Sequence, residues 1–322
     1  MKRKALLIGC GNIGALYDFD DPNKVWTHAK AYSLIDDVHL TVFDTDPGKA
    51  KKIAAKYNAD VIEVLSEEDY KKFDLISITT PTPTHFAYLN KILPRSSSVI
   101  ICEKPVISFS ADVDELINLY KSSDSKVLVN YTRRFQPAFQ QLKETLKTRF
   151  AHESVRTFIV KYSRGFLNNA SHAVDLLEYL YEEPFDFLKF HVQKVELDSF
   201  EYDPTLTGSC LYLDQSANFV GVTDINYSVF EIELFYGDSK IVICHSGNEI
   251  RYYHNKGKSL EEIQAERQTN ILDKYMIPVI NEALDLFDKR KSGDNFISSL
   301  IMNRKMLNII ESLKRPNARV SN

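Results

Sequence analysis

The chain has 322 residues, 44% of them hydrophobic, with 40 Lys and Arg against 44 Asp and Glu for a net charge of −4. That length accommodates two domains and a core that needs no staples. The near-balanced charge gives no electrostatic basis for binding nucleic acid or an anionic membrane surface, and the sequence offers no run of about 18 apolar residues to span a bilayer.

Four cysteines, Cys10, Cys102, Cys210 and Cys244, stand far apart, each in or beside an apolar run. With no C-x-x-C spacing they read as reduced core thiols of a cytoplasmic protein, and no metal site is expected. Residues 1–10 superficially imitate a lipoprotein signal, but their apolar stretch is too short for one.

The run Ala5-Leu6-Leu7-Ile8 is continuous and bounded, as in a buried strand of a parallel sheet. It ends on Gly9-Cys10-Gly11-Asn12-Ile13-Gly14, which holds three of the chain's 11 glycines. In a G-x-G-x-x-G turn the first glycine permits the turn, the second lets backbone approach a pyrophosphate, and the third lets the next helix pack on the strand. The helix start supplies N–H groups for the anion. Gly9, Gly11, Asn12, Ile13 and Gly14 are therefore candidate cofactor contacts.

Residues 16–27 look like an inserted loop beside that site, with Tyr17 and Trp26 as candidate cleft-lining residues, and the helical pattern resumes at His28. A second strand, Val38 to Phe43, ends on Asp44, where a carboxylate accepts from the adenosine ribose. Asp44 lies further from the glycines than the usual spacing of about 20 residues, which the inserted loop explains. A carboxylate there repels a 2′-phosphate and Thr45 offers no cation, so NAD is favoured over NADP.

Alternation continues with a helix over Lys49 to Tyr57, a strand at 60–64 and a helix after Ser66. A strand from Leu75 to Thr80 then runs into Pro81-Thr82-Pro83-Thr84-His85, whose hydroxyls and prolines suit a helix start over 86–93. Thr80, Pro81, Thr82 and His85 fall at the carboxyl edge of the sheet, where such folds bind ligands. The strand 98–102 delivers Glu103-Lys104-Pro105 to the same edge. A helix over 110–120 and a strand over 126–130 follow, the latter passing into Tyr131-Thr132-Arg133-Arg134-Phe135. The fold class is α/β, a doubly wound parallel sheet.

The glycine turn, the Thr80–His85 turn, the Glu103-Lys104-Pro105 triplet, Arg133-Arg134-Phe135, and His172 with Asp175 together resemble the glucose–fructose oxidoreductase/inositol dehydrogenase/rhizopine catabolism (Gfo/Idh/MocA) oxidoreductases over nearly the whole chain. The resemblance implies that Lys104 lies beside the nicotinamide and bonds the substrate hydroxyl, while Glu103 and a cis Pro105 shape the loop. An ammonium at the reacting oxygen stabilises developing negative charge.

From about Arg156 the pattern becomes longer alternating strands, at 157–162, 190–197, 209–213, 218–226, 228–236, 240–246 and 249–256, the last three a meander. By the resemblance they form a C-terminal α+β domain with a large, mostly antiparallel open sheet, one face of which serves homo-oligomer contact. Between the first two strands lies a helix with Asn168 or Asn169 as cap. His172 and Asp175 are i and i+3 and share a face, so an imidazole general base and an orienting carboxylate can serve one substrate. Where the family often has D-x-G-x-H, this chain has Asn168, Ala170 and His172, a departure that bears on the substrate contacts. Tyr131, Arg134, Tyr162, Asn168, Asn169 and Arg164 are candidate contacts to a polar substrate. Helical patterns run from about Ser259 through Pro278 to a last helix near 295–313.

The domains expected are 1–129, binding NAD, and 130–322, binding substrate and making the oligomer, with the last helix packing back on the first. The function implied is NAD(H)-dependent hydride transfer at a hydroxyl or carbonyl carbon of a sugar or nucleotide sugar, with Lys104, His172 and Asp175 catalytic. Members associated with surface-polysaccharide sugars offer an analogy. Two alternatives stand beside it: recycling of bound NAD in a reaction without net redox change, and a non-catalytic NAD-binding regulator.

Overall fold

A computed structural model describes residues 2–151 and 153–314. Met1 and residues 315–322, at the outer ends of the two expected domains, lie outside the described residues. Contacts divide the chain into two units, Met1–Phe135 with Asp273–Ile301, and Gln136–Leu272 with Met302–Asn322.

The first unit holds a six-stranded sheet in the order β3-β2-β1-β4-β5-β6, with all neighbours parallel. Its strands are β1 (Arg3–Ile8), β2 (Val38–Phe43), β3 (Asp60–Val61), β4 (Leu75–Ile78), β5 (Val99–Cys102) and β6 (Lys126–Val129). Its helices include α1 (His28–Ser33), α2 (Pro47–Tyr57), α3 (His85–Ile92) and α4 (Val113–Lys121). Strands β4 and β5 are buried at every position, as a sheet covered on both faces requires. The strand order reverses between β1 and β4, which makes their carboxyl ends the topological switch point where such sheets bind ligands. The doubly wound α/β expectation holds.

In this unit, local structure departs from the sequence pattern in three places. The strand expected at 60–64 pairs only over Asp60–Val61. The segment after Ser66 is a 3₁₀ turn, Glu67–Lys72, rather than an α-helix; the Ser66–Asp69 capping box satisfies its start and Phe73 turns extended. Helix α3 is preceded by a 3₁₀ turn, Thr82–Thr84, with no side-chain cap, because the Thr84 hydroxyl bonds Thr80 Oγ1 at 2.6 Å and Pro81 O at 2.7 Å instead.

The second unit holds α5 (Pro137–Thr148), β7 (Thr157–Tyr162), α6 (Ser171–Tyr181), β8 (His191–Glu196), β9 (Thr205–Tyr212), β10 (Gln215–Gly221), β11 (Phe230–Phe235), β12 (Ser239–Cys244), β13 (Glu249–Asn255) and β14 (Leu260–Glu262). These form one eight-stranded sheet, β14-β13-β12-β11-β7-β10-β9-β8. Only β7 and β10 pair in parallel, so the large, mostly antiparallel sheet is as the sequence suggests. Alternation along β7 and β11 puts Phe158, Val160, Ile232 and Leu234 in the core and their neighbours outward. An aromatic cluster completes the core, with Phe185 stacked on Tyr212 at 3.8 Å and Phe166 and Phe219 close by. Truncating such a residue costs about 3–5 kcal/mol.

The segment after Ser259 is not helical at first. It forms β14, pairing Glu262 with Tyr253, after a turn in which Gly257 takes φ +97°. After a 3₁₀ turn, Gln264–Glu266, α-helix begins at α7 (Met276–Phe287), with Pro278 in its first turn, and ends with α8 (Phe296–Leu313). Among the described residues no helix is long and apolar enough to cross a membrane.

Candidate active site

The glycine turn follows β1 directly. Gly9 has φ +99°, a left-handed value that an L side chain rarely adopts. A Cβ on Gly14 would sit 2.3 Å from Gly9 O and 2.8 Å from Thr79 Oγ1, so the third glycine is required by close packing of the turn on itself and on the end of β4. A Cβ on Gly11 would meet nothing within 4 Å. That opening, beside the start of a helical turn, is the cradle a pyrophosphate needs. Asn12 is exposed and Ile13 half-buried. The following turn, Asn12–Leu16, is a π-helix rather than an α-helix.

Asp44 ends β2 beside this turn. Its Oδ2 accepts from Cys10 N at 2.7 Å and its Oδ1 from Asp46 N at 2.8 Å. Each oxygen keeps a further lone pair, so the carboxylate fits a ribose diol while it ties the glycine turn to the strand. Burial and the Asp44 charge push the Cys10 thiol up to about 12, which holds it protonated and inert.

The inserted loop is organised by Asp18, which is 1% exposed. Its carboxylate accepts from Trp26 N, Thr27 N and Thr27 Oγ1, and Thr27 caps α1. Trp26 stacks on Tyr275 with centroids 6.5 Å apart. Tyr17 is exposed.

The Glu103-Lys104-Pro105 turn leaves β5 with a cis peptide between Lys104 and Pro105. Two buried histidines clasp it. His28 Nε2 lies 2.9 Å from Glu103 Oε1, and its Nδ1 lies 3.0 Å from Ser77 Oγ. Ser77 in turn meets Tyr32 OH at 2.8 Å. Asn130 Nδ2 donates to Glu103 Oε1 at 2.6 Å. Burial works to raise the Glu103 pKa, yet the bonds from His28 and Asn130 and the charge of Lys104 hold it below the ordinary carboxylate value. On the other side His85 spans Pro105 O at 3.0 Å and Thr80 O at 2.8 Å. Burial lowers the His85 pKa, so the ring is neutral and donates to one of the two carbonyls at a time. Thr80 and Thr82 are half-buried and Pro81 exposed at the neighbouring strand end. Lys104 and Arg134 are half-buried, and Tyr131 is 1% exposed.

In the second unit, α6 carries His172, half-buried, and Asp175, 3% exposed. Asn168 and Asn169 do not cap this helix. They lie within a π-helical turn, Phe166–Ala170, and α6 starts without a side-chain cap. The turn is held instead by Asp203, whose two oxygens accept from Leu167 N and Asn168 N at 2.7 Å each. Gly165, at φ +90°, makes room for it, since a Cβ there would sit 2.2 Å from Asp203 Oδ2. Asn169 Nδ2 donates to Ser163 O and Asn168 Nδ2 to Arg164 O. Tyr162 is fully buried, with its hydroxyl donating to Leu206 O and accepting from Leu206 N. That placement gives it a packing role. Arg164 is exposed at the end of β7 with φ +66°.

The family model described as an oxidoreductase family with an NAD-binding Rossmann fold, GFO_IDH_MocA, matches residues 3–131. The likeness to this family is carried by those residues, about two fifths of the chain. Inositol 2-dehydrogenase of Rhizobium meliloti (strain 1021) is 31% identical over 141 residues, which cover 44% of this chain and 39% of that protein. UDP-N-acetylglucosamine 3-dehydrogenase of Acidithiobacillus ferrooxidans is 27% identical over 141 residues, covering 43% and 40%. The matched part thus spans about two fifths of each relative's length. The solved 3-ketoreductase KijD10 of Actinomadura kijaniata, in complex with NADP and TDP-benzene, has a TM-score of 0.74 at 9% identity, over 97% of this chain and 98% of that one. At that identity the likeness is one of fold. The glycine turn, Asp44 and the Glu103–Pro105 turn fall in the matched segment, while His172 and Asp175 lie beyond it.

His28, Ser77, Asp18 and Asp203 are the residues that sequence reading did not single out. For His28 the sequence carried one cue, an imidazole at the first position of the helix that follows the glycine turn.

Proposed function

We propose that this chain is an NAD(H)-dependent oxidoreductase acting on a hydroxyl or carbonyl carbon of a sugar, polyol or nucleotide sugar. The observation that carries the reading is the juxtaposition, in the family-matched segment, of an open glycine turn, a carboxylate at the end of β2 and a clasped Glu103-Lys104-Pro105 turn at the end of β5. The names of the inositol and UDP-N-acetylglucosamine dehydrogenases support the substrate class. NAD is favoured over NADP because Asp44 sets a negative charge where a 2′-phosphate would lie.

In this reading the turn Gly9, Gly11, Asn12, Ile13 and Gly14 holds the pyrophosphate and Asp44 the adenosine ribose. Thr80, Pro81, Thr82, His85 and Glu103 shape the nicotinamide side. The bound nicotinamide supplies hydride acceptance and donation. Lys104 places positive charge at the reacting oxygen. His172 exchanges that oxygen's proton, Asp175 orients the imidazole or a substrate hydroxyl, and Tyr131, Arg134, Asn168 and Asn169 are substrate contacts. The division of labour is residues 1–129 for cofactor and 130–322 for substrate. A homo-oligomer through the second sheet is part of the proposal, supported by exposed Val195, Leu211 and Val220 on β8, β9 and β10; light scattering tests it.

The testing experiment is fluorescence titration of the protein with NADH and NADPH, followed by a panel of polyols, sugars and nucleotide sugars scored for NADH formation. NADH binding tighter than NADPH, with turnover of at least one panel member, is the expected result. Tighter NADPH binding removes the role given to Asp44.

A further inference from the structure

We infer that His28, backed by Ser77 and Tyr32, is a positioning residue that fixes the Glu103 carboxylate and, through it, the place and protonation of the Lys104 amine. This deepens the proposed function and rests on its assignment of Lys104 to the reacting oxygen.

Glu103 is 7% exposed and His28 fully buried. An ionised carboxylate taken out of water is costly unless it is fully bonded. Here Oε1 receives both His28 Nε2–H and Asn130 Nδ2–H. With the proton on Nε2, His28 Nδ1 is an acceptor and takes the Ser77 hydroxyl proton, and Ser77 takes that of Tyr32. One neutral tautomer therefore satisfies every member of the chain, in one direction, from Tyr32 to Glu103.

The far end decides between relay and positioning. Tyr32 is 1% exposed and ends the chain inside the core, so it has no solvent outlet through which protons could pass. What the chain does is hold a negative charge next to Lys104. The charged and titratable groups that feel Glu103 among the described residues are His28, Lys104, His85, Cys102 and Tyr275, and Lys104 is the lysine among them. A held carboxylate keeps the adjacent amine protonated, the state in which it stabilises oxygen charge.

The test uses the full-length protein without added cofactor. Lys104 acetylation by acetic anhydride is mapped by peptide mass spectrometry in wild type, His28→Leu, His28→Gln and Ser77→Ala. Losing the held charge leaves more of the amine unprotonated, so labelling at fixed pH should rise about tenfold in His28→Leu. Ser77→Ala, nearly isosteric, should give a smaller rise, and His28→Gln, which keeps a donor for Glu103, should return toward wild type. In turnover, the alkaline fall of kcat should begin at lower pH in His28→Leu than in wild type, while the NADH dissociation constant stays within about twofold. Labelling unchanged in both His28→Leu and Ser77→Ala, whatever happens to melting temperature, overturns the inference and leaves His28 a packing residue. If His28→Leu does not fold, Ser77→Ala alone decides. Turnover that survives Lys104→Ala overturns the underlying role of Lys104, and the labelling then judges the His28–Lys104 coupling on its own.

Discussion

His28 Nε2 and Glu103 Oε1 lie 2.9 Å apart in the core of the first unit, although 75 positions separate them in sequence. The contact ties the first residue of α1 to the turn that carries Lys104. The inserted loop and the Lys104 turn are thereby parts of one bonded structure, since Thr27, next to His28, is also bonded to Asp18.

The first prediction concerns pH. Glu103 has its folded-state pKa held below the ordinary carboxylate value, so its contribution to stability is fully present above the unfolded pKa and is lost as pH falls through the folded one. Melting temperature should decline on acidification below about pH 4.3, the unfolded carboxylate value. Glu103→Gln should flatten that acid limb and lower the plateau near neutral pH. An unchanged acid limb in the variant contradicts the account.

The second contrasts two glycines. Gly14→Ala places a methyl 2.3 Å from Gly9 O, and the backbone must shift, at a cost of about 1–3 kcal/mol. Gly11→Ala meets no protein atom. Thermal denaturation should show a clear loss for Gly14→Ala and almost none for Gly11→Ala, while NADH titration should show weakened binding for both. Equal melting temperatures would be inconsistent with the geometry.

Asp44 offers a third test. Asp44→Ala removes the ribose acceptor and the partner of Cys10 N, and NADH binding should weaken about tenfold or more, given 1.4 kcal/mol per decade. NADPH binding should weaken less, because a repulsive charge leaves with the acceptor. Fluorescence titration of both cofactors reads the ratio. A parallel loss for the two would remove the discrimination assigned to this carboxylate.

A fourth concerns the helix start that bears His172. Asp203→Ala strips the acceptor from Leu167 N and Asn168 N, and loss of such a cap costs about 0.5–2 kcal/mol. Amide hydrogen exchange should accelerate at residues 166–172 before other parts of the unit. Unaltered exchange there would show that the π-helical turn holds without Asp203.

Much of this architecture is legible in the sequence because it is local. The glycine spacing, the apolar runs of β1, β4 and β5 and the Glu103-Lys104-Pro105 triplet each lie within a few residues, and their physics is that of one strand and the turn after it. The His28–Glu103 and Asp203–Leu167 bonds join residues 75 and 36 positions apart, and no periodicity encodes such pairs. Tyr162 shows the reverse error: a polar tip at a strand end suggests a ligand contact, yet its hydroxyl is consumed by Leu206. The stretch after Ser259 reads as helix because its pattern is ambiguous over three residues, and pairing with β13 settles it as strand.

The most direct test of the central claim is NADH formation from NAD across a panel of polyols, sugars and nucleotide sugars, with wild type and Lys104→Met compared at matched folding. The account predicts that wild type reduces NAD with at least one panel member and that Lys104→Met loses at least about a hundredfold in kcat, the scale of one removed transition-state charge contact, while still binding NADH. A wild-type protein that binds NADH but forms none with any panel member, or a Lys104→Met variant as active as wild type, would contradict it.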